Sequence, residues 1–121
     1  MATKATVYRK FDFDAAHFLP NYQGKCANMH GHRWTIEVGV EGEIDIKTGM
    51  VMDFTVLKEK MKPIIETYDH HTVNDYIYLP TAENIARIIF QDLTLSINTD
   101  KIKLAIVRVW ETPNCCVEVR E

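Results

Sequence analysis

The chain has 121 residues, 46% of them hydrophobic and 26% charged, and its formal net charge is −3. A chain of this size and composition is expected to form one soluble globular domain, residues 1–121, whose core needs no disulfide bonds. The lysines and arginines are scattered along the chain, which argues against a large basic surface for duplex nucleic acid.

The cysteines and the N-terminal residues indicate where in the cell the protein is located. Three cysteines, two of them the neighbours Cys115 and Cys116, do not resemble the paired framework of a small secreted protein. Residues 1–10 carry charges and lack the apolar stretch of a signal peptide, and no apolar window approaches the roughly 18 residues of a membrane span. We therefore expect a cytoplasmic protein that does not enter a membrane.

The first two predicted elements are strands. Residues 6–18 are rich in aromatic and β-branched types, which favour strands. In residues 34–41 every second residue is apolar, beginning at Trp34, and the residues between include Glu37 and Glu41. This period of two predicts a buried face that starts with Trp34 and a solvent face that carries the glutamates, as in an antiparallel sheet. Residues 45–49 then read as a turn.

Two helices are predicted next. From Thr55 the apolar residues recur at three and four positions, namely Leu57, Met61, Ile64, Ile65 and Tyr68. Asp53 is placed to start this helix, and Pro63 inside it predicts a kink or an early end. In the second helix Thr81 is the expected cap, the apolar stripe is Ile85, Ile88, Ile89 and Leu93, and the end falls near Ser96.

Two further strands complete the chain. Residues 103–111 and 116–120 are apolar, β-branched runs, and Thr112-Pro113-Asn114 between them predicts a hairpin. Of the small strand residues Cys115 and Cys116, one is expected to face inward. The predicted order is ββααββ, an α+β fold in which two helices pack on one face of an antiparallel four-stranded sheet.

Five histidines carry most of the functional information: His17, His30, His32, His70 and His71. Residues two apart in an extended segment point to the same face, so His30 and His32 present two imidazoles side by side around Gly31. An antiparallel return through Trp34 brings His17 close to them. Three neutral imidazoles suit zinc and leave one coordination position for water or substrate, as in a catalytic site. The alternative is a turn with two solvated imidazoles.

Cys26 lies four residues before His30, and a thiol this close to three candidate ligands admits two interpretations. It is either a fourth zinc ligand that closes a structural site, or a general base whose thiolate is favoured by nearby positive charge. The residues alone leave both open.

Five motifs occur in the order and spacing of one family. They are FDAAH at 13–17, C-x3-H-G-H at 26–32, MDF at 52–54, YDHH at 68–71 with ND at 74–75, and WET at 110–112. Over its whole length the chain resembles the 6-pyruvoyltetrahydropterin synthases and their bacterial relatives, the 6-carboxytetrahydropterin synthases. The resemblance implies the tunnelling fold (T-fold), in which ββααββ subunits form a trimeric barrel and two trimers stack into a homohexamer.

The spacing at Cys26 bears on the branch of the family. Three residues between Cys26 and His30 resemble the queuosine branch, because the biopterin branch typically has a longer insertion and the folate-type branch a glutamate near this point. The implied reaction converts 7,8-dihydroneopterin triphosphate to 6-carboxy-5,6,7,8-tetrahydropterin, acetaldehyde and triphosphate. Alternatives are elimination of triphosphate to 6-pyruvoyltetrahydropterin, and a non-catalytic zinc- and pterin-binding protein in which Cys26 ligates the metal.

The resemblance also implies a role for each candidate residue. Zn2+ is held by His17, His30 and His32. Cys26 is the base, and the Asp69 carboxylate orients the imidazole of His70, which exchanges protons with the thiol. Without the family, Asp69 and His70 also suit a polar cluster at a helix C-terminus. The sequence does not distinguish His70 from His71.

The pterin and the triphosphate need further contacts. By resemblance Glu111 clamps the amino-pyrimidine edge and Thr112 adds a contact, although a strand-end glutamate in solvent is the alternative. Lys25, Arg33 and Arg9 are candidates for the triphosphate by proximity in sequence. We expect Trp110 and Phe13 to be core residues.

Overall fold

The computed structural model describes residues 2–121. Four strands and two helices follow one another as β1 (Lys4–His17), β2 (His30–Glu43), α1 (Phe54–Tyr68), α2 (Ala82–Ile97), β3 (Ile102–Thr112) and β4 (Cys115–Arg120). Short 3-10 turns at Lys25–Ala27 and Val73–Asp75 lie in the connections. The ββααββ order and the α+β class are confirmed.

The strands form one antiparallel sheet in the order β1-β2-β3-β4. The side chains of Trp34 and of every second residue through Val40 are fully buried, as the alternation predicted. The glutamates on the opposite face are half-buried, because Glu37 accepts a hydrogen bond from Arg108 Nη1 at 2.5 Å. The face that was predicted to lie in solvent therefore carries ion-paired side chains.

Both helices pack on the same face of the sheet, over one hydrophobic core. Leu57 and Met61 of α1, which packs over β1, and Ile85, Ile89 and Leu93 of α2, which packs over β3 and β4, are fully buried in that core. Burial of each such side chain contributes about 1.5–3 kcal/mol relative to exposure. This burial holds the helices against the sheet, and the register of β1 and β2 sets which strand ends meet.

The helix starts match the sequence, and the structure excludes the early end that was one of the two effects predicted at Pro63. Asp53 Oδ1 accepts a hydrogen bond from the Thr55 N–H at 2.7 Å, and the Thr81 hydroxyl accepts one from the Asn84 N–H at 3.1 Å. The first helix does not end early at Pro63 but continues to Tyr68. Proline removes one main-chain hydrogen bond, and burial of Met61 and Tyr68 on either side of it offsets that loss.

Two further expectations about burial are corrected. Phe13 is in the core, as expected, but Trp110 is only half-buried. Because Trp110 follows the core residue Val109, its ring lies on the face away from the helices. Lys10 Nζ is 5.0 Å from the centroid of that ring. Cys115 and Cys116 are both exposed, because β4 is an edge strand and neither thiol reaches the core. Within residues 2–121 neither helix is long and apolar enough to cross a membrane.

Candidate active site

The ends of β1 and β2 bring three imidazoles together. The strand register pairs His17 with His30, and Ala15 with His32. The ring centroid of His17 lies 4.5 Å from that of His30 and 5.2 Å from that of His32. The centroids of His30 and His32 are 4.8 Å apart. A Glu111 carboxylate oxygen joins them, and one ligand atom from each residue lies within 4.8 Å of the others. We call these four residues the histidine cluster.

Main-chain carbonyls orient two of the rings. The Nδ1–H of His17 donates to the Pro80 carbonyl at 2.8 Å, and the Nδ1–H of His30 donates to the Asn28 carbonyl at 2.7 Å. A carbonyl oxygen only accepts, so Nδ1 carries the proton in both rings and Nε2 presents its lone pair. Metal-binding histidines are typically oriented by such partners.

The unpaired nitrogens test whether a metal ion fits. The Nε2 atoms of His17 and His32 are buried and make no hydrogen bond within residues 2–121. Glu111 Oε1 lies 3.1 Å from the first and 3.3 Å from the second. The Nε2 lone pair of His17 facing a carboxylate oxygen is unfavourable unless a cation lies between them. Three imidazoles and one carboxylate form a donor set that suits zinc.

The surroundings favour the neutral form of His32. Burial lowers the pKa of His32, and the neighbouring His17 and His30 lower it further, while the Glu111 carboxylate opposes the shift. Trp34 lies beneath the cluster with its ring centroid 4.9 Å from that of His17, and its Nε1–H donates to the Ala15 carbonyl at 3.2 Å. A neutral imidazole is the form that binds a metal, and here it lies in apolar surroundings.

The sequence suggested either a pterin contact or a strand-end glutamate in solvent for Glu111. The structure turns one of its carboxylate oxygens toward His17 and His32. The side chain is 32% exposed and, with Thr112, lines a cavity of about 560 Å³. Glu111 is therefore in reach of both a metal ion and a molecule bound in the cavity.

Cys26 does not complete the histidine cluster. It lies in the 3-10 turn Lys25–Ala27, half-buried, and its carbonyl accepts a hydrogen bond from the Leu19 N–H at 2.8 Å. This bond ties the turn to the segment just after His17. Within residues 2–121 the fourth residue of the cluster is Glu111, so the closed site that uses a cysteine ligand is not the one formed.

Asp69 and His70 belong to a second group, with Asp14, which we call the Asp–His cluster. His70 Nδ1 lies 3.0 Å from Asp69 Oδ2, whereas the His71 Nδ1–H donates to the Asp69 main-chain carbonyl. The Asp14 N–H donates to Asp69 Oδ1 at 2.9 Å, and this bond, more than the adjacent His70, lowers the pKa of the Asp69 carboxyl. The carboxylate thus pairs with His70, whose side chain is 78% exposed.

The loop that carries the Asp–His cluster is fastened to β1 by its main chain. His70 has a φ of 61°, in the left-handed region, and its N–H donates to the Asp14 carbonyl at 2.6 Å. Asn74 makes two bonds to Phe18: its Oδ1 accepts from the N–H at 3.0 Å and its Nδ2 donates to the carbonyl at 2.9 Å. Asn74 and Pro80 were not assigned roles from the sequence. Asn74 lies in the ND motif, but the Pro80 contact uses only a carbonyl and leaves no sequence signal.

The three cationic side chains that were predicted to bind the triphosphate lie in different parts of the structure. Arg33 lies beside the histidine cluster but pairs with Asp14 at 3.2 Å and Asp12 at 3.7 Å. Arg9 Nη1 donates to the Phe54 carbonyl at 2.9 Å, at the start of α1, so it is not brought to the cavity. Lys10, which was not predicted, lines the cavity together with Arg33. Lys25 is exposed in the turn that carries Cys26.

Comparison with known proteins places this geometry in a family. The family model described as 6-pyruvoyl tetrahydropterin synthase matches residues 6–121. A 6-carboxy-5,6,7,8-tetrahydropterin synthase from Synechocystis sp. is 43% identical over 94 residues, 72% of this chain and 73% of that protein. A dihydroneopterin monophosphate aldolase from Pyrococcus furiosus is 36% identical over 116 residues, 96% of this chain and 97% of that protein.

The solved structures agree. The structure of Caenorhabditis elegans 6-pyruvoyl tetrahydropterin synthase superposes with a TM-score of 0.89 at 30% identity, covering 99% of this chain and 97% of the other. Sequence and fold match over almost the whole length. The chain therefore belongs to the 6-pyruvoyl tetrahydropterin synthase family.

Proposed function

We propose that the chain is a zinc-dependent 6-carboxy-5,6,7,8-tetrahydropterin synthase of queuosine biosynthesis, a lyase that releases acetaldehyde and triphosphate from 7,8-dihydroneopterin triphosphate. The observation that carries the proposal is the histidine cluster, in which two buried Nε2 atoms that make no hydrogen bond within residues 2–121 converge with a carboxylate oxygen. Relatives named as 6-carboxy-5,6,7,8-tetrahydropterin synthases support a lyase of this substrate class.

His17, His30 and His32 would hold the zinc ion. When bound, zinc supplies Lewis acidity at the side-chain hydroxyls of the substrate, which makes an adjacent C–H more acidic. Cys26, in the turn next to His17, is the proposed base that takes this proton. The thiolate is the form of a cysteine that can take a proton from the substrate.

The Asp69–His70 pair is the proposed proton shuttle. The Asp69 carboxylate holds the Nδ1 side of the His70 ring, which leaves Nε2 for the exchange. His70 and His32 line the same cavity of about 520 Å³, so the shuttle and a metal ligand open onto a common space. This supports transfer between the pair and a substrate bound over the histidine cluster.

Glu111 and Thr112 are the proposed pterin contacts. A carboxylate that accepts two N–H bonds from an amino-pyrimidine edge forms a charge-assisted bidentate pair. The exposed part of Glu111 faces the 560 Å³ cavity that Thr112 and Trp110 also line, a volume within the usual range of small-molecule sites. A homohexamer remains part of the proposal, supported by an open sheet with β1 and β4 at its edges.

A product-mass experiment tests the proposal. The zinc-loaded protein is incubated with 7,8-dihydroneopterin triphosphate, and the products are identified by mass spectrometry together with an assay for acetaldehyde. We expect 6-carboxy-5,6,7,8-tetrahydropterin and acetaldehyde. A product that keeps all three side-chain carbons after loss of triphosphate indicates 6-pyruvoyltetrahydropterin instead. Absence of turnover with zinc and pterin bound indicates a binding protein.

The Pyrococcus furiosus relative raises a second candidate, an aldolase that acts on dihydroneopterin monophosphate. The 36% identity over nearly the whole of both chains is the observation that favours it. The same zinc-loaded protein is therefore offered the monophosphate and the triphosphate in parallel. A higher kcat/KM for the monophosphate, with the phosphate left on the released fragment, would replace the first proposal.

A further inference from the structure

The segment that carries Cys26 is a closed loop, residues 19–26, which we call the cysteine loop. The Leu19 N–H donates to the Cys26 carbonyl at 2.8 Å and so joins the two ends of the loop. The residue before Leu19 bonds to Asn74, on the loop that carries the Asp–His cluster, and the residue before that is His17. The shape of the cysteine loop therefore sets where Cys26 lies relative to both clusters.

The first reversal in the cysteine loop is a β-turn at residues 19–22. The Tyr22 N–H donates to the Leu19 carbonyl at 3.3 Å, and Asn21 has a φ of 63°. A type II turn favours proline at its second position and needs a positive φ at its third, and Pro20 and Asn21 supply both. Asparagine tolerates the left-handed region better than most residues, so the sequence favours this reversal.

The second reversal uses Gly24. Its φ is 146° and its ψ is −172°, a conformation that is essentially confined to glycine. Its carbonyl accepts a hydrogen bond from the Ala27 N–H at 3.1 Å, which leads into the 3-10 turn Lys25–Ala27. A Cβ on Gly24 would also lie 3.0 Å from Tyr22 Cε2, but the Tyr22 side chain is 52% exposed and its ring can move aside. The backbone conformation, more than space, therefore requires glycine at residue 24.

We propose that Gly24 is a positioning residue for Cys26, because its positive φ directs the main chain into the turn that presents the thiol. An L residue at this position has to leave that φ, and the change passes to Cys26, two residues later, through the 3-10 turn. Gly24 acts on the base and not on the substrate, so its replacement slows proton removal more than it weakens binding. This inference rests on the proposed function, in which Cys26 is the base.

Gly24→Ala and replacement of Gly24 by D-alanine test the proposal. D-alanine is the mirror image of L-alanine, so the φ and ψ of Gly24 fall in its ordinary extended region. Native chemical ligation at Cys26 joins a synthetic thioester of residues 1–25 to a recombinant fragment that begins at Cys26. The glycine, L-alanine and D-alanine proteins are therefore made and refolded in the same way. We measure kcat and KM for 7,8-dihydroneopterin triphosphate, zinc content and melting temperature.

We expect kcat of Gly24→Ala to fall at least about tenfold, because small displacements of a reacting group are costly, with KM changed less than about twofold. Zinc content stays the same, and D-alanine restores most of kcat. Gly49→Ala is the matched control, because Gly49 also has a positive φ, 73°, but lies in a turn outside both clusters. It should lower the melting temperature and leave kcat unchanged, which separates backbone strain alone from displacement of Cys26.

Other results overturn the proposal. An unchanged kcat in Gly24→Ala, or a D-alanine protein as slow as Gly24→Ala, means that the conformation of residue 24 does not position the base. A rise in KM as large as the fall in kcat means that residue 24 acts on substrate binding, and a loss of zinc means that it serves the metal ligands. Failure of Gly24→Ala to refold would make the glycine a determinant of the fold instead.

If the glycine protein does not turn over this substrate, the proposed function fails separately, and the rate at which iodoacetamide alkylates Cys26 then decides. Cys115 and Cys116 are exposed and serve as internal references in the same chain. Alkylation depends on the exposure and the ionisation of a thiol, and both change when its surroundings change. A Cys26 rate that shifts at least about threefold in Gly24→Ala and returns with D-alanine supports the positioning role. Equal rates in the three proteins, or a shift that D-alanine does not reverse, overturn it.

Discussion

The histidine cluster and the Asp–His cluster open onto one cavity but are built in different ways. The three imidazoles project from two paired strands, and their spacing follows from a register that the buried residues from Trp34 onward also require. Asp69 and His70 lie on a loop that is fastened to β1 by a few hydrogen bonds, with His70 largely exposed. A metal site needs fixed distances, whereas a proton shuttle tolerates motion. The predictions below separate these two kinds of support, beginning with the largest effect.

Removal of a metal ligand should have the largest effect. His17→Ala is expected to lower zinc affinity by more than the roughly 10- to 100-fold that is typical of losing a supporting partner, and turnover should fall to background. Metal content by atomic spectroscopy and chelator competition measure this. His71→Ala, which changes an exposed histidine outside the histidine cluster, is the control and should bind zinc normally. Full zinc occupancy in His17→Ala would contradict the assigned ligand set.

Cys26→Ala tests the proposed base. Loss of a general base typically lowers the rate by about 10²–10⁴-fold, and zinc should remain because Glu111, not Cys26, is the fourth residue of the histidine cluster. Single-turnover rates and metal content are measured together. Cys116→Ala removes an exposed thiol on the edge strand and should leave both unchanged. Loss of zinc from Cys26→Ala would make the cysteine a ligand and disprove its role as the base.

Glu111→Gln separates metal binding from pterin binding. If the carboxylate clamps the pterin, losing its charge-assisted hydrogen bonds costs about 1.5–3 kcal/mol, which corresponds to about a 10- to 100-fold rise in KM. Zinc affinity should change little, because three imidazoles remain. The opposite pattern, with zinc weakened and KM unchanged, would place Glu111 on the metal alone.

Asn74→Ala should have the smallest effect on chemistry and acts on the loop. It removes both hydrogen bonds to Phe18 and leaves partly buried main-chain groups unpaired, at a cost of about 1–3 kcal/mol in unfolding free energy. Denaturant unfolding measures the loss. Zinc affinity should be nearly unchanged and turnover reduced several-fold, since only the Asp–His cluster is loosened. An equal loss of zinc would show that the two clusters are not supported separately.

The sequence predicts the sheet and the convergence of the three histidines because both follow from a period of two along paired strands. It does not predict features that depend on packing between segments that are distant in the sequence. Glu111 turns toward the imidazoles, Trp110 lies outside the core and α1 continues past Pro63, each for reasons that involve packing between distant segments.

Main-chain contacts are a second kind of feature that the sequence does not predict. The ring of His17 is oriented by the Pro80 carbonyl and the loop is held by amide groups of β1. Every residue has these groups, so no residue type marks them. The sequence therefore identifies the candidate side chains, but not most of the contacts that orient them.

The pairing of His17 with His30 would also affect how the chain acquires the proposed metal ion. A slip of one residue between β1 and β2 would turn the side chains of one strand to the other face and separate the imidazoles. Misregistered sheets would therefore lack the site, and the proposed ion would bind only the correctly paired form. Because a ligand that binds only the native state stabilises it by mass action, zinc supply during folding would shift the chain toward the correct strand alignment.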